Sequence, residues 1–317
     1  MKLCNRFHII IILIVWLAPI LLFGSPPIKQ TYVFTKHDAQ ELKMDVYKRD
    51  TIDNDKKELL NSQPCLLFVF GGGFKDGTRD AELYTDYFNY FANKGFTVVS
   101  IDYRLGMKGE KAPSLFNFKP MENSIAIAVE DLYTATNYLL KNADELNIDT
   151  TQIIISGSSA GAIAVLQADY EKRNNKPSTK ILSKPFQYAG VIAFSGSIFS
   201  REGTPSYNIA PAPTLLFHGS ADKLVPYNNT RFFHIGMFGS NTLAKEFRKN
   251  EYPYMFYSME GNGHEVSEYP MTDFLPQIDQ FIADYVFCQK QLLIDINYRD
   301  KNRKVENSDS PSDYYKK

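Results

Sequence analysis

Apolar and polar positions along this chain follow two different periods. Six short runs are predominantly apolar: Cys65–Phe70, Thr97–Ile101, Ile153–Ser156, Gly190–Phe194, Thr214–Phe217 and Tyr254–Tyr257. Runs of this length, rich in β-branched and aromatic residues, read as strands covered on both faces. Between them lie segments with a helical period: Ala81–Lys94, Met121–Lys141, Ala160–Tyr170, Asn228–Met237 and Met271–Phe287. The second of these carries an apolar stripe of Ile125, Val129, Leu132 and Leu139. Near the start, Tyr32–Thr35 and Lys43–Tyr47 read as short strands, the latter alternating apolar and polar residues, and Asp50–Ser62 is a charged connection. Strands separated by helices imply an α/β fold with a mainly parallel central sheet and helices on both faces. Ligands in such folds bind at the carboxyl edge of the sheet, so the residues just after each strand are where chemistry is sought.

The most informative of these junctions is Gly157-Ser158-Ser159-Ala160-Gly161, between the strand ending at Ser156 and the helix beginning at Ala160. Flanking glycines let strand and helix approach closely, and the sharp turn projects Ser159 at the sheet edge beside a helix N-terminus. The bland alternative is a structural turn that happens to contain serine. A serine hydroxyl needs a base to take its proton, and the base needs an anion to fix its tautomer. The chain has five histidines: His8, His37, His218, His234 and His264. His8 lies in the N-terminal apolar segment, His37 in a hairpin, His218 at the end of an apolar strand, and His234 on the helix expected over Asn228–Met237. Only His264, in Gly261-Asn262-Gly263-His264-Glu265, follows a strand on a flexible loop, which is where a general base should sit. Asp222 follows the strand Thr214–Phe217 by a short turn and is the preferred acid, with Glu260 as competitor. The bland role for Asp222 is to cap the amides of Leu224 or Val225.

A tetrahedral intermediate needs preorganised donors. The amide of Ala160 supplies one, and the loop Gly71-Gly72-Gly73-Phe74 after the strand Cys65–Phe70 supplies others, chiefly Gly72 and Gly73. Neither the P-loop nor the dinucleotide spacing of glycines is present, so this loop does not read as a phosphate cradle.

The order Ser159, Asp222, His264, with the glycine loop upstream, resembles the α/β-hydrolases of the esterase/lipase type that carry a His-Gly-Gly-Gly-like oxyanion loop. The chain is similar to the acetyl and feruloyl esterase branch and to carboxylesterases related to hormone-sensitive lipase. The matching stretches are Phe70–Phe74, Ser100–Leu105, Gly157–Gly161, Phe217–Pro226 and Gly261–Glu265. The resemblance implies an α/β-hydrolase fold and a serine hydrolase cleaving carboxylic esters through an acyl-enzyme, with short-acyl or carbohydrate-linked substrates. It also implies a structural role for Asp102-Tyr103-Arg104. Phe70 stands where that family usually has a histidine that ties the oxyanion loop, so either another group holds the loop here or the oxyanion hole is looser. A peptidase of related fold and a catalytically inactive binding module are the alternatives.

Composition changes the picture in four places. A formal net charge of −1 gives no electrostatic case for nucleic acid. Lys2 and Arg6 before the apolar run Ile9–Phe23 read as a signal peptide over residues 1–24, placing the protein outside the cytoplasm as secreted or periplasmic; an uncleaved anchor is the other reading. Beyond it only Cys65 and Cys288 remain, and sequence leaves their pairing open. No cluster has metal-ligand spacing and no cofactor motif is present, so neither metal nor cofactor is expected. Residues 25–288 form the expected hydrolase domain, and the polar residues 289–317 a tail, disordered from about Asn297.

Overall fold

The computed structural model describes residues 26–50, 62–114, 117–303 and 309–316. The signal-peptide reading, most of the charged connection and the pair at 115–116 lie outside these residues. In chain order the elements are β1 (Ile28–His37), β2 (Gln40–Lys48), β3 (Gln63–Val69), α1 (Thr85–Asn93), β4 (Thr97–Ile101), α2 (Lys119–Lys141), α3 (Ala143–Leu146), β5 (Ile148–Ser158) and α4 (Ala160–Arg173). They continue with β6 (Gly190–Phe194), β7 (Ser197–Ser200), β8 (Thr214–Gly219), β9 (Asn229–Phe232), β10 (Ile235–Gly239), α5 (Ser240–Lys249) and β11 (Tyr254–Met259). The last are α6 (Pro270–Asp273), α7 (Leu275–Phe281), β12 (Leu293–Tyr298) and α8 (Pro311–Tyr314).

Nine strands form one sheet in the order β1-β2-β4-β3-β5-β6-β8-β11-β12. The pairs β1/β2 and β2/β4 are antiparallel and the rest parallel. The apolar runs of the sequence are the central strands: β4, β6, β8 and β11 are buried at every position, as expected for strands covered on both faces. Helix α4 is buried along nearly its whole length, because it follows β5 directly and packs back over the sheet.

Three expectations give way. The helix expected over Asn228–Met237 is the β9–β10 hairpin, which pairs through β10 with β7, a strand in a stretch for which no element was expected. Gly236 needs that conformation, since a Cβ there would lie 2.3 Å from the Thr230 carbonyl oxygen. Long-range pairing with β7 decides the form of a segment whose local pattern is ambiguous. The helix expected over Met271–Phe287 is divided into α6, α7 and a wider π-helical turn over Ile282–Phe287, with prolines at 270 and 276 each opening a new helix. The third concerns the tail. Leu293–Tyr298 joins the sheet as β12, parallel to β11, with Ile294, Ile296 and Tyr298 turned to the core. The alternation of apolar and polar residues there is that of an edge strand, so the domain runs past residue 288.

Cys65 and Cys288 are both free thiols, the first buried and the second exposed.

Candidate active site

Ser159 sits between β5 and α4 with φ 51° and ψ −114°, in the left-handed half of backbone space. A serine pays strain to adopt it, and such strain persists only where the surroundings enforce it. Two glycines enforce it here. A Cβ on Gly157 would lie 2.4 Å from the Gly161 carbonyl, and one on Gly161 would lie 2.0 Å from the Val69 carbonyl oxygen. The turn is thus clamped between its own helix and the end of β3. The Ser159 amide donates to the Phe194 carbonyl at 2.8 Å, and the Ser158 hydroxyl donates to the Ser267 carbonyl at 2.8 Å, away from the sheet edge.

The three residues singled out in the sequence meet at this point. Ser159 Oγ is 2.7 Å from His264 Nε2, and His264 Nδ1 is 2.8 Å from Asp222 Oδ2. Each comes from the carboxyl end of a different strand: β5, β11 and β8. Asp222 also performs its bland role, because Oδ1 accepts the amides of Leu224 and Val225 at 2.9 and 3.0 Å. Its Oδ2 faces a second ring, His218 Nε2, at 3.4 Å. Burial alone would raise the Asp222 carboxyl; the hydrogen bonds from His218 and His264, with their charge, outweigh it and hold the group well below the usual carboxylate range. An ionised carboxylate only accepts, so His264 Nδ1 carries the proton and Nε2 is left to accept from Ser159. Glu260, the competing acid, is exposed and pairs with Arg299 at 3.4 Å, remote from this role. Glu265 instead braces the histidine loop, accepting from the Asn262 side chain and the Gly263 amide.

His218 is fully buried, as its strand position suggested. Its Nδ1 meets Ser240 Oγ at 2.8 Å and its Nε2 meets the Val225 carbonyl at 3.2 Å. His234 lies on the β9–β10 hairpin rather than on a helix, and His37 ends β1.

The glycine loop follows β3 and runs beside this turn: a Cβ on Gly71 would lie 3.3 Å from Ser159 Cβ. Gly72, Gly73 and Phe74 all have positive φ, at 116°, 63° and 57°. Among the described residues no acceptor takes the Gly72 or Gly73 amide, and Ala160, the first residue of α4, has no intrahelical acceptor. Gly73 and Ala160 line a cavity together with Ser159, whereas Gly72 is set back from it. Phe70 is buried and stacks on Tyr103 with centroids 4.4 Å apart. The loop is tied by other groups. The Tyr103 hydroxyl donates to the Phe70 carbonyl at 3.1 Å, the Gly71 amide donates to the Tyr84 hydroxyl at 3.0 Å, and the Met107 amide donates to the Phe74 carbonyl at 2.9 Å. The Gly72 carbonyl accepts from Lys75 and Asp76 at 3.0 Å each. Sequence reading missed Tyr84, for which no local signal exists. Tyr103 was marked only through the resemblance.

The cavity above Ser159 has a volume of about 270 Å³ and mostly apolar walls, among them Phe118, Met121, Ile163, Phe199, Leu224 and Met237. An apolar cavity over a hydroxyl, a base and free amides suits a neutral substrate with a polar, electrophilic centre.

Fold and site together define an α/β-hydrolase. Residues 44–200 of the chain match the family model described as BD-FAE. Among curated proteins it is similar to fumonisin B1 esterase of Sphingopyxis macrogoltabida, 32% identical over 103 residues, covering 32% of this chain and 19% of that one. It is also similar to esterase B1 of Culex pipiens, 29% identical over 102 residues, covering 32% and 18%. The matching stretches thus span about a fifth of those relatives' length. Among solved structures, a thermophilic esterase from Thermogutta terrifontis aligns over 82% of this chain and 93% of its own, with TM-score 0.60 and 23% identity.

Proposed function

We propose that the protein is a carboxylic ester hydrolase in which Ser159 is the nucleophile, His264 the general base and acid, and Asp222 the residue that orients it. The observation that carries this reading is the hydrogen-bonded run from Asp222 through His264 to a strained, cavity-facing Ser159. In the first step His264 Nε2 takes the Ser159 proton as Oγ attacks the ester carbonyl, giving an oxyanion held by the cavity-facing amides of Ala160 and Gly73. His264 then gives that proton to the departing alcohol, leaving an acyl-serine. Water, deprotonated by the same ring, releases the acid and restores the hydroxyl.

Short acyl groups fit this reading best. A chamber of about 270 Å³ holds a short ester and little more. The similar Thermogutta terrifontis esterase was solved with butyrate bound. We further propose that residues 1–24 direct export; amino-terminal sequencing of the mature protein tests this.

The function is tested with p-nitrophenyl acetate, butyrate and octanoate on protein lacking residues 1–25. The expected outcome is turnover falling with chain length and lost in Ser159→Ala. Turnover of peptide substrates with none of esters would favour a peptidase instead.

A further inference from the structure

The residues after β12 take no part in the reaction just described, yet they return to the site. The chain leaves the sheet where the Glu260 amide donates to the Tyr298 carbonyl at 2.7 Å. Arg303 then pairs with Asp273 of α6 and lies over the Tyr269 ring, 3.7 Å from its centroid. At the far end α8 is nucleated by a capping box between Ser310 and Asp313, with Pro311 in its first turn. This short helix delivers two tyrosines to the glycine loop. The Tyr315 hydroxyl donates to the Gly73 carbonyl at 2.7 Å. The Tyr314 ring lies so close that a Cβ on Gly73 would be 2.6 Å from its Cε1. Pro311, Tyr314 and Tyr315 all line the cavity over Ser159.

We propose that this carboxyl-terminal segment completes the substrate site, with Tyr315 a positioning residue for the oxyanion loop and Tyr314 the wall that limits ester size. The inference rests on the ester-hydrolase reading and deepens it.

The argument for Tyr315 is geometric. A peptide unit is planar and trans, so fixing a carbonyl fixes the amide at its other end. The Gly72 carbonyl is fixed by Lys75 and Asp76, which sets the Gly73 amide. The Gly73 carbonyl is the next in line, and Tyr315 is the group that fixes it, so Gly73, which bears the cavity-facing amide, is held through the peptide units on both of its sides. Both residues hold positive φ, a conformation with no helix or strand ladder to enforce it. Where the family's histidine would brace this loop, Phe70 cannot donate, and Tyr315 supplies a donor from the opposite end of the chain. The argument for Tyr314 is steric. Its ring stands on the cavity wall at Gly73 and packs edge-on to Tyr315, with centroids 5.2 Å apart. Cutting it back enlarges the chamber next to the reacting carbonyl.

The experiment uses the full mature chain and compares wild type with Tyr314→Ala, Tyr314→Phe and Tyr315→Phe on acetate and octanoate p-nitrophenyl esters. In Tyr314→Ala the octanoate-to-acetate ratio of kcat/KM should rise by about tenfold or more. Tyr314→Phe keeps the ring and should keep the wild-type ratio. Tyr315→Phe should lower kcat on acetate about tenfold with KM unchanged, less than the loss of an oxyanion donor outright. Melting temperatures close to wild type show that each variant is folded. An unchanged ratio in Tyr314→Ala overturns the wall, and an unchanged kcat in Tyr315→Phe overturns the positioning role. If the wild type turns over no ester, labelling rates with short- and long-chain fluorophosphonates give the same ratios at Ser159. In that case the hydrolase reading fails on turnover while the wall is judged by labelling. Absence of both turnover and labelling in the wild type overturns both.

Discussion

Gly161→Ala is the sharpest structural perturbation available at the turn that carries Ser159. The added Cβ would sit 2.0 Å from the Val69 carbonyl oxygen, 2.6 Å from its carbon and 2.7 Å from the Phe70 carbonyl oxygen. All three are backbone atoms of β3 and the residue that leads into the glycine loop, so no side chain can swing aside. Ordinary contact begins at 3.4 Å, so helix α4 and the end of β3 must separate by about 1.4 Å. Ser159 rides on the first of these and the Gly72 and Gly73 amides on the second, so the separation opens directly between that hydroxyl and those amides. A misplacement of about 1 Å costs on the order of 10²-fold in rate. Overpacking a buried site costs about 1–3 kcal/mol, and at roughly 2–4 °C per kcal/mol the melting temperature should fall by several degrees. The assay pairs kcat on p-nitrophenyl acetate with a thermal melt. Gly109→Ala is the control, because that glycine has a positive φ of 82° but open space around it, so an added Cβ strains its own backbone and displaces nothing. It should lose some stability and keep its kcat. A Gly161→Ala variant with wild-type kcat and melting temperature would refute the clamped-turn account.

Asp222→Asn should lower kcat about 10⁴-fold, since an amide cannot hold His264 in the donating tautomer. The depressed carboxyl of Asp222 contributes stability that is fully present above the ordinary carboxylate pKa of about 4. That contribution is lost as pH falls from there through the folded value, so urea midpoints of wild type and variant should differ most at pH 7 and converge in acid. His218→Phe removes one donor from Asp222 and strands the Val225 carbonyl, while the Ser240 hydroxyl keeps the Gly196 carbonyl at 3.3 Å, so unfolding in urea should show a loss of about 1–3 kcal/mol. Burial pushes the Cys65 thiol up, whereas Cys288 is exposed; Ellman's reagent on protein lacking residues 1–25 should therefore titrate one thiol quickly, and none in Cys288→Ser. No fast thiol in the wild type would point to a Cys65–Cys288 disulfide instead.

The central strands were legible because strands buried on both faces are apolar without interruption, and the order of elements then leaves few topologies open. Ser159, Asp222 and His264 were legible for a related reason: each lies in a turn just past such a strand, so the sheet itself brings them to one edge. What the local pattern could not convey is pairing at a distance. Asn228–Met237 has a spacing compatible with a helix, and its pairing within β9–β10 and with β7 makes it a hairpin. The tail is the clearest case. Its charge reads as solvated chain, yet six residues with strand alternation complete the sheet edge and two tyrosines reach a loop 242 positions earlier. Tyr84 and Tyr103, which tie that loop, likewise act across the fold through hydroxyls that no periodicity marks.

The central claim is that Ser159, and no neighbouring hydroxyl, attacks the substrate. Ser158 provides the comparison, because its hydroxyl is spent on the Ser267 carbonyl while that of Ser159 faces His264. The direct measurement is peptide mapping by mass spectrometry after reaction of the protein lacking residues 1–25 with a fluorophosphonate. The account predicts one adduct, on Ser159, abolished in Ser159→Ala and formed far more slowly in His264→Ala. An adduct on Ser158 or elsewhere, or esterase activity that survives in Ser159→Ala, would contradict it.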